Sequence, residues 1–128
     1  MEKKTQHSLT WEVTDEMTAK RIGTAGSKIL STPNMLSLME ACALELAKEY
    51  LEEGMTTVGA EAHVHHLAPT PVGMKVTATA TLREIQGRKM WFDIEVTDEK
   101  GKCGEGSHLR IMVSQQGMKD KAQQKAEN

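Results

Sequence analysis

Residues 34–46, NMLSLMEACALEL, have the pattern of an amphipathic helix with one charged residue on its apolar side. At about 100° per residue, Glu40 falls in the middle of a predicted apolar stripe. The stripe consists of Leu36, Ala43, Leu44, Ala47 and Leu51. A carboxylate in such a place is costly unless it is paired or protonated. Glu40 therefore has either a structural partner, an arginine or backbone amides, or a functional role.

Sequence signals at both ends give this helix predicted bounds of about 33–53. Thr32 precedes Pro33, and threonine is a favourable N-cap whereas proline suits the first helical position. Gly54 is the type of residue that ends helices. Residues 20–31, KRIGTAGSKILS, contain two glycines and no clean period. They predict a loop, and its position before the helix suggests a lid.

Most of the remaining chain alternates apolar and polar residues, which is typical of half-buried β-strands. One strand is predicted over 8–14, before the helix, and four more over 56–67, 74–83, 89–97 and 102–113. This order favours an α+β domain in which an antiparallel sheet curls around one long helix, the hot-dog arrangement. An ordinary two-layer α+β sandwich is the alternative. Because one copy leaves a sheet edge and part of the helix uncovered, we expect a dimer.

The composition narrows the class of protein. The 128 residues predict one domain over 1–114 and a polar, lysine-rich tail over 115–128. A formal net charge of −2 gives no general attraction to nucleic acid or anionic membranes. No apolar run approaches the roughly 20 residues that span a bilayer, and no apolar signal core follows the N-terminus. Cys42 and Cys103 give neither a disulfide framework nor a metal-binding spacing, so a cytoplasmic protein is predicted.

The segment HVHHLAPTPVG, residues 63–73, holds the first candidate partner for Glu40. His63 and His65 share one strand face, but zinc needs three or four ligands, so no metal site is predicted. His66 falls on the opposite, apolar face at the end of the strand. A strand side chain at that point can meet the end of a packed helix. A glutamate and a histidine on converging apolar faces can form an acid–base pair.

Thr32 is the second candidate, because a hydroxyl beside a base can act as a nucleophile. Its simpler role is the helix N-cap. Eight residues of continuous helix separate Thr32 from Glu40 by about 12 Å along the axis. Three possibilities remain open: the helix breaks after Pro33, Thr32 reaches a site shared with a second chain, or Thr32 is only a cap.

Gly59 and Arg110 complete the set of candidates. Gly59 interrupts a strand rich in side chains, which marks either close approach of a ligand or another backbone, or a simple bulge. Arg110 shares an alternating strand face with Gly104, Gly106 and His108. Its charge can meet a phosphate or Glu40, or it can be solvated.

Taken together, these segments resemble the fluoroacetyl-CoA thioesterase group of hot-dog proteins. The similarity lies in LMEAC, VGAEAHVHHLAPTPVGMKVTATATL and GEGSHLRIMV, and it covers roughly residues 32–113. The resemblance implies that Thr32, Glu40 and His66 form the catalytic set. It also implies that Gly59 lies at the acyl thioester and that Arg110 supports the site. The segment before the helix carries no aromatic residue, unlike the fluoroacetate-specific members, so selectivity for a fluorinated acyl group is not expected.

The resemblance further implies an acyl-CoA thioesterase that hydrolyses a small acyl-CoA to free acid and CoA. CoA then enters as part of the substrate, with no other cofactor. It implies a homodimer with the active site at the subunit interface, a tetramer being the alternative assembly. Two other functions on the same fold stay open, a non-catalytic module that binds acyl-CoA and a hydratase or dehydratase.

Overall fold

The computed structural model describes residues 3–18 and 28–127. The predicted lid lies outside the described residues except for its last four positions, 28–31. The elements in chain order are β1 (Gln6–Glu12), α1 (Thr32–Ala47), β2 (Met55–His66), β3 (Lys75–Gln86), β4 (Lys89–Asp98), β5 (Gly101–Ser114) and α2 (Gln115–Ala126). Short 3₁₀ turns occupy Asp15–Met17 and Lys48–Tyr50.

The five strands form one antiparallel sheet in the order β1-β3-β4-β5-β2. All five strands and the single helix between the first two were predicted, and the α+β arrangement is confirmed. The edges of the sheet are β1 and β2. Helix α2 follows β5 directly, and none of its residues is buried.

The core lies between α1 and one face of the sheet. Along β3 and β4 the alternating apolar residues are buried as predicted: Val76, Ala78, Ala80, Met90, Phe92, Ile94 and Val96. The buried side of α1 consists of Met35, Leu38, Met39, Cys42, Ala43, Leu46 and Ala47. The predicted stripe was therefore partly wrong. Leu36, Glu40 and Leu44 form a half-buried flank beside the core, because the two methionines fill the space that packs on the sheet.

Both predicted ends of the helix were wrong by a short distance. The N-cap is Ser31, whose Oγ accepts a hydrogen bond from the Asn34 N–H at 3.2 Å. Thr32 is the first residue of the helix and does not cap it. The α-helix ends at Ala47 and tightens into a 3₁₀ turn, and Gly54 lies in the following turn with φ of 84°.

A β-bulge between Gly59 and Glu61 interrupts the alternation along β2. The sequence placed Val58, Ala60, Ala62, Val64 and His66 on one face, which was wrong for the first two. The bulge inserts one residue. The face that packs on α1 therefore consists of Thr57, Gly59, Ala62, Val64 and His66. Gly59 thus joins the inner face.

Two glycines of β5 allow α1 to lie close to the sheet. A Cβ on Gly104 would collide with Met35 Sδ, and a Cβ on Gly106 would overlap the His63 carbonyl and lie 2.9 Å from Met39 Cε. Both positions must therefore lack a side chain if helix and strands are to keep their spacing.

Gly106→Ala should lower the free energy of unfolding by about 1–3 kcal/mol, because the new methyl group displaces the β2 backbone. Urea unfolding of the variant and the parent protein measures this. Gly117→Ala, in the exposed helix α2 with no atom closer than 3.4 Å to the new Cβ, is the control and should not destabilise. Equal stability of the two variants would contradict the close packing at Gly106.

Candidate active site

Thr32 and His66 form a hydrogen-bonded pair at the start of α1. The Thr32 Oγ1 atom lies 2.8 Å from His66 Nδ1. Because Ser31 caps the helix, the Thr32 hydroxyl remains available to the imidazole. His66 is the last residue of β2, where the strand runs past the N-terminus of the helix. A hydroxyl that can pass its proton to an imidazole is the arrangement of an activated nucleophile.

His66 is partly buried, and burial lowers the pKa of its imidazole, although a backbone hydrogen bond at Ala68 opposes the shift. The ring is therefore neutral at neutral pH and can accept a proton. Its second nitrogen, Nε2, is buried and has no hydrogen-bond partner among the described residues. A buried imidazole nitrogen without a partner is costly, and such unsatisfied groups occur at catalytic sites.

An open groove of about 420 Å³ lies over this pair. Its lining combines the two polar residues with apolar ones: Ile29, Thr32, His66, Leu67, Ala68 and Pro69. Leu67 is 55% exposed, which is unusual for a leucine beside a polar pair. The groove offers an apolar surface beside a hydroxyl and a base.

Glu40 belongs to a second cluster, further along α1. Its Oε2 atom lies 3.8 Å from Arg110 Nη1, and the side chain of Glu40 is 42% exposed whereas that of Arg110 is 7% exposed. The carboxylate thus has an ion-pair partner, but the distance is too long for a hydrogen bond. Of the roles left open for Arg110, the contact with Glu40 is confirmed and solvation is wrong.

Gly59 makes room for this carboxylate. A Cβ on Gly59 would lie 2.9 Å from Glu40 Oε2 and 3.2 Å from His108 Cε1. The glycine therefore marks a bulge, as one of the two predicted alternatives had it, and the group that comes close to it is the Glu40 side chain.

His108 is the residue that the sequence analysis missed. It is 3% exposed and hydrogen-bonds to both Arg110 and the Glu61 carbonyl. The available signal was its position two residues before Arg110 on the same strand face.

The two clusters do not meet within one chain. Helix α1 is unbroken from Thr32 to Ala47, so the proposed break after Pro33 is wrong. The rise of eight helical residues, about 12 Å, separates Thr32 from Glu40. One chain thus holds a hydroxyl–imidazole pair and, at a distance, a carboxylate beside an arginine.

Two further histidines of β2 lie on the opposite face of the sheet. His63 and His65 are both exposed, and His65 Nδ1 lies 3.9 Å from Glu105 Oε2. Within residues 3–18 and 28–127, no group of three His, Cys, Asp or Glu side chains could hold a metal ion.

None of the helices in this same part of the chain is both long and apolar enough to span a bilayer.

Comparison with known proteins supplies the context for this geometry. The family model for fluoroacetyl-CoA-specific thioesterases matches residues 13–116. The fluoroacetyl-CoA thioesterase of Streptantibioticus cattleyicolor is 33% identical over 98 residues, which are 77% of this chain and 70% of the relative.

Solved structures agree with this match. A variant of the fluoroacetyl-CoA-specific thioesterase superposes with a TM-score of 0.89 at 27% identity, covering 98% of this chain and 97% of the other. A hot-dog-like protein from Thermanaerovibrio acidaminovorans gives a TM-score of 0.87 at 26% identity, covering 94% and 90%. A Thermus thermophilus member of the thioesterase superfamily, at 22% identity and a TM-score of 0.90 over 98% and 93%, supports the fold. The chain belongs to the fluoroacetyl-CoA-specific thioesterase family, and it is a hot-dog protein of the thioester hydrolase class.

Proposed function

We propose that this protein hydrolyses thioesters between CoA and a small acyl group, as a homodimer with composite active sites. Water supplies the hydroxyl of the free acid, the bond between the acyl carbon and sulfur breaks, and the CoA sulfur receives the proton. The hydrogen bond between Thr32 Oγ1 and His66 Nδ1 carries this proposal, since it joins a hydroxyl to a neutral base beside an open apolar groove. CoA enters only as part of the substrate.

His66 moves the proton in this scheme, because burial keeps its imidazole neutral and able to accept one. Two nucleophiles fit the geometry. Thr32 can attack after passing its proton to His66, or Glu40 can attack or activate a water while Thr32 orients the thioester. The positive end of the α1 dipole lies at Thr32 and favours negative charge on the thioester oxygen in either route.

The edge strand β2 supports a homodimer. Residues 59–63 are all exposed, and as an edge strand β2 presents unpaired backbone groups along this stretch. Beside it, Leu36 and Leu44 form an incompletely covered flank of α1. Antiparallel pairing of β2 with the β2 of a second copy covers both surfaces through one two-fold axis.

One register of that pairing would bring His66 of one chain to the Glu40 cluster of the other. If the two-fold axis passes through His63 and Ala60 is the extra residue of the bulge, His66 lies opposite Gly59 of the second copy. Glu40 lies over Gly59 within each chain, so its carboxylate comes next to His66 of the other chain. Each dimer would hold two complete sites.

The cysteines fit a cytoplasmic location for this enzyme. Cys42 and Cys103 are free and buried, and burial raises the pKa of both thiols. Neither thiol is available for ready oxidation, and a reducing compartment is the expected setting.

The first test is release of free thiol from a panel of short, branched and aromatic acyl-CoAs, including acetyl-CoA and fluoroacetyl-CoA. The wild-type protein should release CoA from small acyl groups. His66→Ala should reduce kcat about 100-fold or more, because the proton acceptor is lost. His7→Ala, on edge strand β1 at the opposite side of the sheet from β2, is the matched control and should keep its activity. Binding of acyl-CoA without thiol release by the wild-type protein would contradict hydrolysis and favour a binding module.

The composite site has a reciprocal test with differently tagged, purified heterodimers. A dimer of one Glu40→Gln chain and one His66→Ala chain keeps one complete site, so it should show about half of the wild-type turnover. A dimer of one wild-type chain and one chain carrying both changes should be inactive.

If each site lies within one chain, the first heterodimer should be inactive and the second should show about half of the wild-type turnover. The result would then contradict the composite arrangement while leaving the activity itself established. A monomeric mass in solution for the active protein would have the same consequence.

Gly59→Ala should lower kcat by about tenfold or more while shifting the melting temperature by only about 2 °C or less. The new methyl group meets the flexible end of the Glu40 side chain rather than backbone, so it displaces the carboxylate without disturbing the fold. Thiol release and thermal melting measure the two effects. Unchanged turnover would show that the carboxylate position over Gly59 is not required.

A further inference from the structure

Arg110 is buried in a polar network that holds its guanidinium from three sides. Its Nε donates to Thr57 Oγ1 at 2.7 Å, and its Nη2 donates to the Thr57 carbonyl at 3.0 Å. Both contacts come from β2, the neighbouring strand. They fix the plane of the guanidinium and leave Nη1 as the nitrogen that faces Glu40.

The third contact is with His108, and it fixes the tautomer of that histidine. His108 Nδ1 lies 2.9 Å from the Glu61 carbonyl, which can only accept a hydrogen bond, so Nδ1 carries the proton. Arg110 Nη1 lies 2.9 Å from His108 Nε2 and can only donate, so Nε2 is bare. Burial and the adjacent Arg110 charge lower the pKa of His108, although the backbone bond at Glu61 and the Glu40 charge oppose this. A ring that donates from Nδ1 and accepts at Nε2 is neutral, so the two hydrogen bonds together require an uncharged His108.

His108 holds Nη1 at its present distance from Glu40. Nη1 has two N–H groups; one donates to His108 at 2.9 Å, and the nitrogen lies 3.8 Å from Glu40 Oε2. A shift of Nη1 by about 1 Å toward Glu40 would let the second N–H form a charge-assisted hydrogen bond with the carboxylate. The carboxylate would then be engaged and less reactive. The bond to His108 opposes this shift.

We propose that His108 is a positioning residue that keeps Arg110 at ion-pair distance from Glu40 and prevents a hydrogen bond between them. Arg110 then supplies positive charge to the site while the Glu40 carboxylate stays free to react. This inference rests on the proposed function, in which Glu40 acts on the thioester or on water. It assigns to His108 a role in turnover without contact with the substrate.

A matched pair of variants tests this role through kcat and KM for the best acyl-CoA. His108→Leu removes the acceptor for Nη1, so the guanidinium moves onto Glu40; kcat should fall about tenfold or more while KM stays within about twofold. His108→Gln keeps an amide oxygen for Arg110 and an amide N–H for the Glu61 carbonyl. It should retain at least about a third of the wild-type kcat.

Thermal melting establishes that both variants are folded at the assay temperature. Wild-type turnover in the leucine variant would overturn the proposal. So would a glutamine variant as impaired as the leucine variant, because that pattern indicates a requirement for the imidazole itself.

A second measurement does not depend on activity. In ¹⁵N spectra of the imidazoles, the His108 signals, assigned by their loss in His108→Gln, should show Nδ1 protonated and Nε2 bare between about pH 7 and pH 8. A proton on Nε2 in that range would overturn the proposal, even if the leucine variant failed to fold. Absence of thiol release by the wild-type protein would instead overturn the proposed function, and the tautomer would still decide whether His108 holds Arg110.

Discussion

The rigidity of helix α1 is the constraint on which the arrangement of the site depends. The helix is continuous from Thr32 to Ala47, so the backbones of Thr32 and Glu40 are held about 12 Å apart along its axis. Neither residue can approach the other without unfolding a helix whose buried side forms much of the core. The chain therefore presents two half-sites, each supported by a different part of β2. In the proposed homodimer, symmetric pairing of two chains joins these unlike halves twice.

The fold could be predicted from the sequence, whereas the site could be predicted only in part. Strand order, the helix and the inward-facing residues of β3 and β4 follow from periodicity, since burial on one side imposes a period that the sequence must carry. The pairing of Thr32 with His66 was also within reach, because His66 ends an apolar strand face and Thr32 begins the helix. The alternation of apolar and polar residues does not reveal where a strand inserts an extra residue and the alternation shifts.

The bulge at Gly59–Glu61 is such a break, and it accounts for the main errors about β2. One inserted residue exchanges the two faces, so residues before it point opposite to the alternation read from residues after it. The capping error has a similar cause. Ser31 and Thr32 are both good N-caps, and only the observed bond from the Asn34 N–H to Ser31 separates them. His108 escaped notice because its role depends on contacts from β2, which the spacing within β5 does not contain.

The network around Arg110 fits the proposed reactivity of Glu40, at some expense of stability. A buried guanidinium is best stabilised by a carboxylate in direct, bidentate contact. Here its nitrogens bind a hydroxyl, a backbone carbonyl and a neutral imidazole, while its one charged partner within residues 3–18 and 28–127 lies at 3.8 Å. A purely structural ion pair would close that gap, because a buried charge with incomplete compensation costs free energy. Keeping the gap open leaves Glu40 with the attraction of a positive charge but without a bond to it. Such an arrangement is expected where a carboxylate must act on another molecule rather than hold the fold together.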